Sequence, residues 1–253
     1  MSGPRRGRRF LVVGGGCFGT AHARSLLRAR ARGTLPGEEI WVIDRDAGCA
    51  AAALAPAAGL RIVAADWERF LADYLREWER GAGAREEDFL VPSPPAPHLF
   101  PGWLARALAR RARLAEVSAP TLPDTPLARP LGPRLAVSFA EWRCPVRCIE
   151  PAVCPATRQP RTWEITRELG AYAGRLRAAG LAPLAGPYVG RVTHLVEGVG
   201  GFPLMDWARA ARRLRAALAG PPAPATLHAL VGTVSGCHGA VSLLRAENEN
   251  AAP

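Results

Sequence analysis

A short apolar run, Phe10-Leu11-Val12-Val13, passes at once into Gly14-Gly15-Gly16-Cys17-Phe18-Gly19 and then into a helical stretch from Thr20 to Arg32. This strand, glycine turn and helix constrain the fold more than any other feature. The G-x-G-x-x-G positions are Gly14, Gly16 and Gly19. In such a turn the first glycine permits the sharp reversal and the second lets a pyrophosphate approach the backbone. The third lets the helix pack close to the strand, with free N–H groups and the positive dipole end facing the phosphates. A second strand, Ile40-Trp41-Val42-Ile43, ends in Asp44. A carboxylate there is placed to hold a ribose hydroxyl, at a spacing somewhat longer than the usual ~20 residues. Gly14, Gly15, Gly16, Cys17, Phe18, Gly19, Asp44 and Arg45 are therefore the candidate dinucleotide-binding residues. Arg45 is also able to accept a 2′-phosphate, which leaves NAD and NADP both open. A glycine turn that binds nothing is the bland alternative.

A secretory reading competes for the same segment. Arg5, Arg6, Arg8 and Arg9 precede the apolar run, and Ala21-His22-Ala23 has the form of a cleavage site. Three consecutive glycines interrupt the run, and the helical pattern continues past the supposed cleavage point. Both features argue against a discarded leader.

The chain has 253 residues, enough for one large domain or two small ones. No apolar run approaches the ~20 residues of a membrane helix. The net charge is +11, yet all 33 basic residues are Arg. The arginines are scattered, so nucleic acid is discounted as a partner and the bias is read as compositional. With no Lys, a Schiff base is excluded except at the N-terminus, and a P-loop lysine and a Tyr-x-x-x-Lys pair are excluded outright.

Strands are predicted at 9–13, 40–44, 60–65 and 88–92, with helices at 17–31, 47–54, 67–80 and 98–115. This alternation implies a parallel sheet covered by helices. Prolines 92, 94, 95 and 97 close the fourth strand, and a Pro-rich stretch at 117–135 reads as a linker. The expected organisation is α/β: a Rossmann-like parallel sheet over 1–116, the linker, and a smaller α+β domain over 136–253 carrying a cysteine cluster. In that second part the expected elements are a strand at 136–142, helices near 164–179 and 203–219, and strands near 188–196 and 226–234.

Val12 to Gly19, then Ala23, then Trp41-Val42-Ile43-Asp44-Arg45-Asp46, resemble the nucleotide-binding domain of TrkA-type potassium-uptake regulators. Ala64-Ala65-Asp66 falls where that family has its third-strand acidic turn. The resemblance covers roughly residues 9–92. It implies NAD(H) or adenine-nucleotide binding through Gly14, Gly16, Gly19 and Asp44, and it adds Asp66 to the candidates. The second half departs from that family.

Cys144, Cys148 and Cys154 share one short Pro-flanked segment, and Cys237 sits in Ser235-Gly236-Cys237-His238-Gly239. Four thiols from two loops suit a soft metal, either zinc or an iron–sulfur cluster. The C-x3-C-x5-C spacing matches neither a zinc ribbon nor the bacterial ferredoxin run. Disulfides and plain buried thiols are the alternatives. His238 is a weak catalytic candidate or an alternative ligand. Cys49 is expected in the core, and Cys17 as a small residue tolerated beside the turn. Glu150 and Glu164 read as exposed loop acids. His194 lies in an expected strand, and the glycine-rich 197–202 segment is read as a turn leading into a helix, either an anion or substrate site or an ordinary strand-to-helix connection. Trp142 and Trp163 are expected to pack beneath the cysteine loop.

These features suggest a cytoplasmic NAD(P)-linked oxidoreductase with a zinc or iron–sulfur cofactor, acting on a small molecule. A non-catalytic nucleotide sensor with a structural metal and a partner protein is the alternative, and a metal- or tetrapyrrole-handling role is a third. A homodimer is compatible with either of the first two.

Overall fold

The computed structural model describes residues 8–35, 39–56, 59–80, 87–93, 98–145 and 148–249. Arg5, Arg6, Pro94, Pro95 and Pro97 lie outside them. In chain order the elements are β1 Arg9–Val13, α1 Cys17–Ala31, β2 Glu39–Asp44, a 3-10 turn Ala50–Leu54, β3 Leu60–Ala64, α2 Trp67–Glu79, β4 Phe89–Val91 and α3 Phe100–Leu108. There follow β5 Ala112–Val117, β6 Leu127–Leu131, β7 Arg134–Ser138, α4 Ile165–Ala178, β8 Leu184–Arg191, β9 Thr193–Val196, β10 Val199–Pro203, α5 Met205–Ala219, β11 Thr226–Val234 and β12 His238–Asn248. The protein is thus mixed α/β, and two compact units form. One comprises 1–97 with 193–205, the other 98–192 with 206–253.

The first unit holds a sheet in the order β3-β2-β1-β4-β10-β9. Its first four strands are mutually parallel. Every residue of β1 is buried, as expected for a parallel strand covered on both faces. α1 packs Ala23, Leu26 and Ala29 against Phe10, Val12, Ile40 and Val42. α2 is capped by Asp66, whose side chain accepts from the Arg69 N–H at 3.0 Å. It buries Leu71, Tyr74 and Leu75.

The expectation of a uniformly parallel Rossmann sheet is corrected here. Beside β4 lies β10, which runs antiparallel to both β4 and β9. β9 and β10 are joined tightly through Glu197-Gly198, with Gly198 at φ +75°, and so short a connection makes an antiparallel hairpin, since a parallel pair needs a long crossover. The glycine-rich 197–202 segment is therefore hairpin and strand, and it does not lead directly into α5.

The second unit is the larger one. Its sheet runs β6-β7-β12-β11-β8, with β5 also on β12. β11 and β12 form a long antiparallel hairpin from Thr226↔Glu247 to Val234↔Gly239. α4 covers one face, placing Ile165, Leu169, Tyr172 and Leu176 against Leu135, Val137, Leu230 and Val241. Phe100 stacks on Trp207 at 4.8 Å between ring centroids. His98, just before α3, is 3% exposed and bonds Thr233 and Ser242 through its two ring nitrogens.

Other local expectations change. The segment expected as a helix over 98–115 is α3 followed by β5. The stretch read as a linker contains β6 and leads into β7, so it is part of the second sheet.

Candidate functional site

The glycine turn assembles at the carboxyl end of β1. Gly14 has φ +78°, a conformation that glycine adopts without a Cβ penalty. Its N–H donates to the Ile43 carbonyl at 2.8 Å. A Cβ on Gly19 would stand 1.7 Å from the Gly14 carbonyl oxygen, whereas one on Gly16 would meet nothing within 4 Å. Gly16 is the N-cap of α1, and no side chain caps that helix end. A Cβ on Gly15 would strike the Cys49 sulfur at 2.2 Å. Cys49 is therefore a half-buried packing partner of the turn. Cys17 and Phe18, the first residues of α1, are exposed.

The Asp44 carboxylate, at the end of β2, accepts from the Gly15 N–H at 2.6 Å and from the Asp46 N–H at 2.9 Å. Arg45 donates to Asp66 from Nε at 3.0 Å. That hydrogen bond and the Asp66 charge hold the Arg45 guanidinium above its ordinary pKa. The structure thus brings Gly14 to Gly19, Asp44, Arg45 and Asp66 to the carboxyl ends of three neighbouring parallel strands. It adds Trp67, which sequence reasoning missed. The Trp67 ring reaches 4.0 Å from the Cβ position of Gly14, and the Arg45 guanidinium sits 5.9 Å above it. A tryptophan at a helix N-terminus following an acidic turn was the available signal.

The second constellation lies in residues 144–163 and the β11–β12 turn. All six cysteines are free. The Cys144 thiol lies within electrostatic reach of Cys148, Cys237 and Cys154. Burial first, and those neighbours next, push its pKa up. The Cys148 sulfur accepts from the Glu150 N–H at 3.4 Å. Cys154 is buried, and its pKa is lowered chiefly by the polar groups of the neighbouring Thr157. Cys237 is buried and accepts from the Trp163 indole N–H at 3.2 Å, with Arg161 at 4.0 Å. Burial outweighs those donors and raises the Cys237 pKa. Trp163 thus touches a sulfur, while Trp142 meets the Trp163 ring edge-on at 5.6 Å. Among the described residues, no group of three or more His, Cys, Asp or Glu side chains is arranged to hold a metal ion.

Glu150 and Glu164 are not loose surface acids. The Glu150 side chain is 8% exposed. It accepts from the Ser235 hydroxyl, from the Gly236 N–H at 2.8 Å and from the Cys237 N–H at 3.2 Å. Arg161 and Arg191 stand 3.3 and 3.8 Å from it. Burial pushes the Glu150 carboxyl up, but these hydrogen bonds and the Arg191 charge outweigh it, and its pKa is lowered. Glu164 caps α4 and pairs with Arg191 at 3.0 Å. The donors of the 235–237 turn that bury Glu150 lie 85 to 87 residues away in sequence, which hid its burial. The His238 side chain is exposed.

The chain belongs to the family described as "Uncharacterized protein, C-terminal domain", whose model matches residues 101–247, more than half its length. No curated protein and no solved structure matches it. The resemblance of residues 9–92 to TrkA-type regulators is therefore corrected. The family found is a different one, it covers the other part of the chain, and the sheet carrying the glycine turn is mixed. A glycine fingerprint of a few residues is shared by unrelated proteins, and it misled at the family level. Among the described residues no helix is long and apolar enough to cross a membrane.

Proposed function

We propose that the chain binds a dinucleotide, NAD or NADP, at the Gly14–Gly19 turn and acts as an NAD(P)-linked oxidoreductase. The observation that carries the reading is the division of labour among the three glycines. Gly14 makes the left-handed turn, Gly19 admits backbone contact, and Gly16 faces open space at an uncapped helix N-terminus. Fold packing accounts for Gly14 and Gly19 but not for Gly16, whose missing Cβ leaves room for a pyrophosphate. Asp44 is placed for a ribose hydroxyl. Arg45 and Trp67 offer flat surfaces to an adenine ring. The dinucleotide supplies hydride chemistry when bound; the chain's own part is to seat and orient it.

The test is a fluorescence titration of the whole protein with NADH and NADPH, alongside the Gly16→Val variant. Saturable binding by the native chain, lost in a variant with unchanged circular dichroism, supports the reading. Absence of saturable binding, or equal binding by the variant, overturns it. Turnover of the reduced dinucleotide with an artificial electron acceptor then tests the oxidoreductase assignment.

A further inference from the structure

The face of the first sheet turned away from α1 carries a cleft that the dinucleotide reading does not use. We propose that this cleft binds a free α-amino acid with an apolar or aromatic side chain, its carboxylate held by Arg61 and its ammonium group by Glu77.

The cleft follows from how α2 returns over the sheet. Side chains alternate along β2, so Ile40 and Val42 pack with α1 while Trp41 faces α2. The Trp41 ring meets Phe70 and Tyr74 at 6.4 and 6.2 Å between ring centroids. Ile40 and Val42 are fully buried, but Trp41 is only half-buried. β3 is the end strand of the sheet, and α2 does not seal the sheet there, since Val63 and Phe70 also stay half-buried. What remains is a cleft of about 510 Å³ between β3 and α2, within the ~300–1,000 Å³ of small-molecule pockets.

The same topology sets two rows of side chains against each other. β3 and β4 are parallel members of one sheet, so α2, which joins them, runs back against β3. Arg61, Val63 and Ala65 on β3 therefore descend alongside Glu77, Asp73 and Arg69 on α2, and all six line the cleft. The rows match in length: about 13 Å for the strand at ~3.3 Å per residue, and about 12 Å for the helix at ~1.5 Å per residue. Arg61 and Glu77 thus come to the same end of the cleft.

The charges left over decide what fits. Arg9, on the floor, donates to the Tyr74 hydroxyl at 2.7 Å and stands 3.9 Å from Glu39. Asp73 pairs with Arg69 at 3.9 Å and with Arg76. Arg61 and Glu77 are exposed, and among the described residues neither has an ion-pair partner. The Arg61 guanidinium lies 4.8 Å above the Trp41 ring. That contact keeps it at the cleft and leaves its N–H fork for a carboxylate, which such a fork binds through two parallel bonds. A simple anion would meet repulsion from Glu77, and a simple cation would meet it from Arg61. A carboxylate and an ammonium on one carbon satisfy both. Trp41, Phe70 and Val63 then offer an apolar wall to the ligand's side chain, where an aromatic ring gains most. Arg61 and Glu77 stand at the amino end of β3, whereas the glycine turn follows the carboxyl end of β1, so the two readings fail separately.

The experiment is calorimetric titration of the whole protein, without nucleotide, with L-phenylalanine, L-tryptophan and L-leucine. Saturable binding of at least one of them, at about one per chain, is expected. The N-acetyl and amide derivatives of the amino acid that binds, each lacking one charge, should bind at least about tenfold more weakly. Arg61→Gln and Glu77→Gln should each weaken the parent amino acid by a similar factor. Arg24→Gln, which removes an exposed charge on α1, should leave it unchanged. Positions 61 and 77 are exposed, so both variants should keep the native circular dichroism. If one does not, the derivatives on the native chain still decide. No saturable binding of the three amino acids at millimolar concentration overturns the proposal. So does equal binding of the derivatives, or unchanged affinity in either folded variant.

Discussion

The Cβ position of Gly19 lies 1.7 Å from the Gly14 carbonyl oxygen, so the first turn of α1 touches the end of β1 backbone to backbone. Gly19→Ala must push the helix from the strand. Overpacking of this kind costs about 1–3 kcal/mol or more, and the obstacle here is rigid main chain. The urea midpoint of Gly19→Ala should fall clearly. Gly16→Val adds bulk into open space and loses only the N-cap preference for glycine over valine, so it should cost less than Gly19→Ala, about 1 kcal/mol or under. A larger loss in Gly16→Val than in Gly19→Ala, or none in Gly19→Ala, would contradict this division of roles.

Asp44 sets a preference under the dinucleotide reading. Its carboxylate stands at the carboxyl end of β2, fixed by two N–H donors. The nearest candidate cation for a 2′-phosphate, Arg45, is held by Asp66. A phosphate beside Asp44 meets charge repulsion and loses a hydrogen-bond acceptor. NADH should therefore bind at least about tenfold more tightly than NADPH, a difference of about 1.4 kcal/mol. Asp44→Ala should erase the preference, and Asp66→Ala, which releases Arg45, should strengthen NADPH. Competition titrations read both effects.

The buried corner beneath α2 gives a stability test. Asp88 is fully buried and accepts from the Arg9 N–H at 2.9 Å and from the Tyr74 hydroxyl at 2.5 Å. Tyr74 in turn accepts from Arg9 Nη1 at 2.7 Å. Asp88→Ala strands an N–H and a hydroxyl inside the protein, each costing about 1–3 kcal/mol. Tyr74→Phe should cost less, since Asp88 keeps its main-chain donor. Chemical denaturation of the two variants should rank them in that order. The reverse ranking would show that the phenol, not the carboxylate, organises this corner.

Local signals were legible in the sequence, and distant pairings were not. β1, the glycine turn, α1 and β2 follow from contiguous residues, and the structure places them within a residue or two of expectation. α4 and α5 announce themselves by apolar spacing. β12 went unread because its apolar run starts just after Gly239, where Cys237 and His238 drew attention as ligands. Val234 and His238 bracket a three-residue glycine-containing loop, a hairpin signal in its own right. β10 was hidden by glycines. A Cβ on Gly201 would stand 2.8 Å from Leu195 Cδ1 and 2.9 Å from the Leu90 carbonyl, so this glycine serves close strand packing, which composition reads as turn. The four cysteines were found by residue type alone. Glu150, Arg161 and Trp163, which tie their loops together, act across sequence gaps that no local pattern bridges.

His98 makes stability depend on pH. It is buried, with one ring nitrogen 2.9 Å from the Thr233 hydroxyl and the other 3.1 Å from that of Ser242. Burial, and secondarily the Arg134 charge, lower its pKa from 6.5 to about 3. The sign follows from proton uptake. Below the unfolded value the unfolded chain binds a proton on this histidine that the folded chain refuses, so unfolding is favoured as pH falls. The loss accumulates at up to about 1.4 kcal/mol per pH unit between the unfolded value and the folded one. Below the folded value both states are charged and this contribution stops changing. His98→Gln keeps a donor and an acceptor for the two hydroxyls but cannot titrate. Urea midpoints measured from neutral pH down to about pH 4, spanning most of that window, should fall less steeply for His98→Gln than for the native chain. Parallel curves would mean that His98 is already protonated in the folded protein, and that Thr233 and Ser242 both accept from an imidazolium.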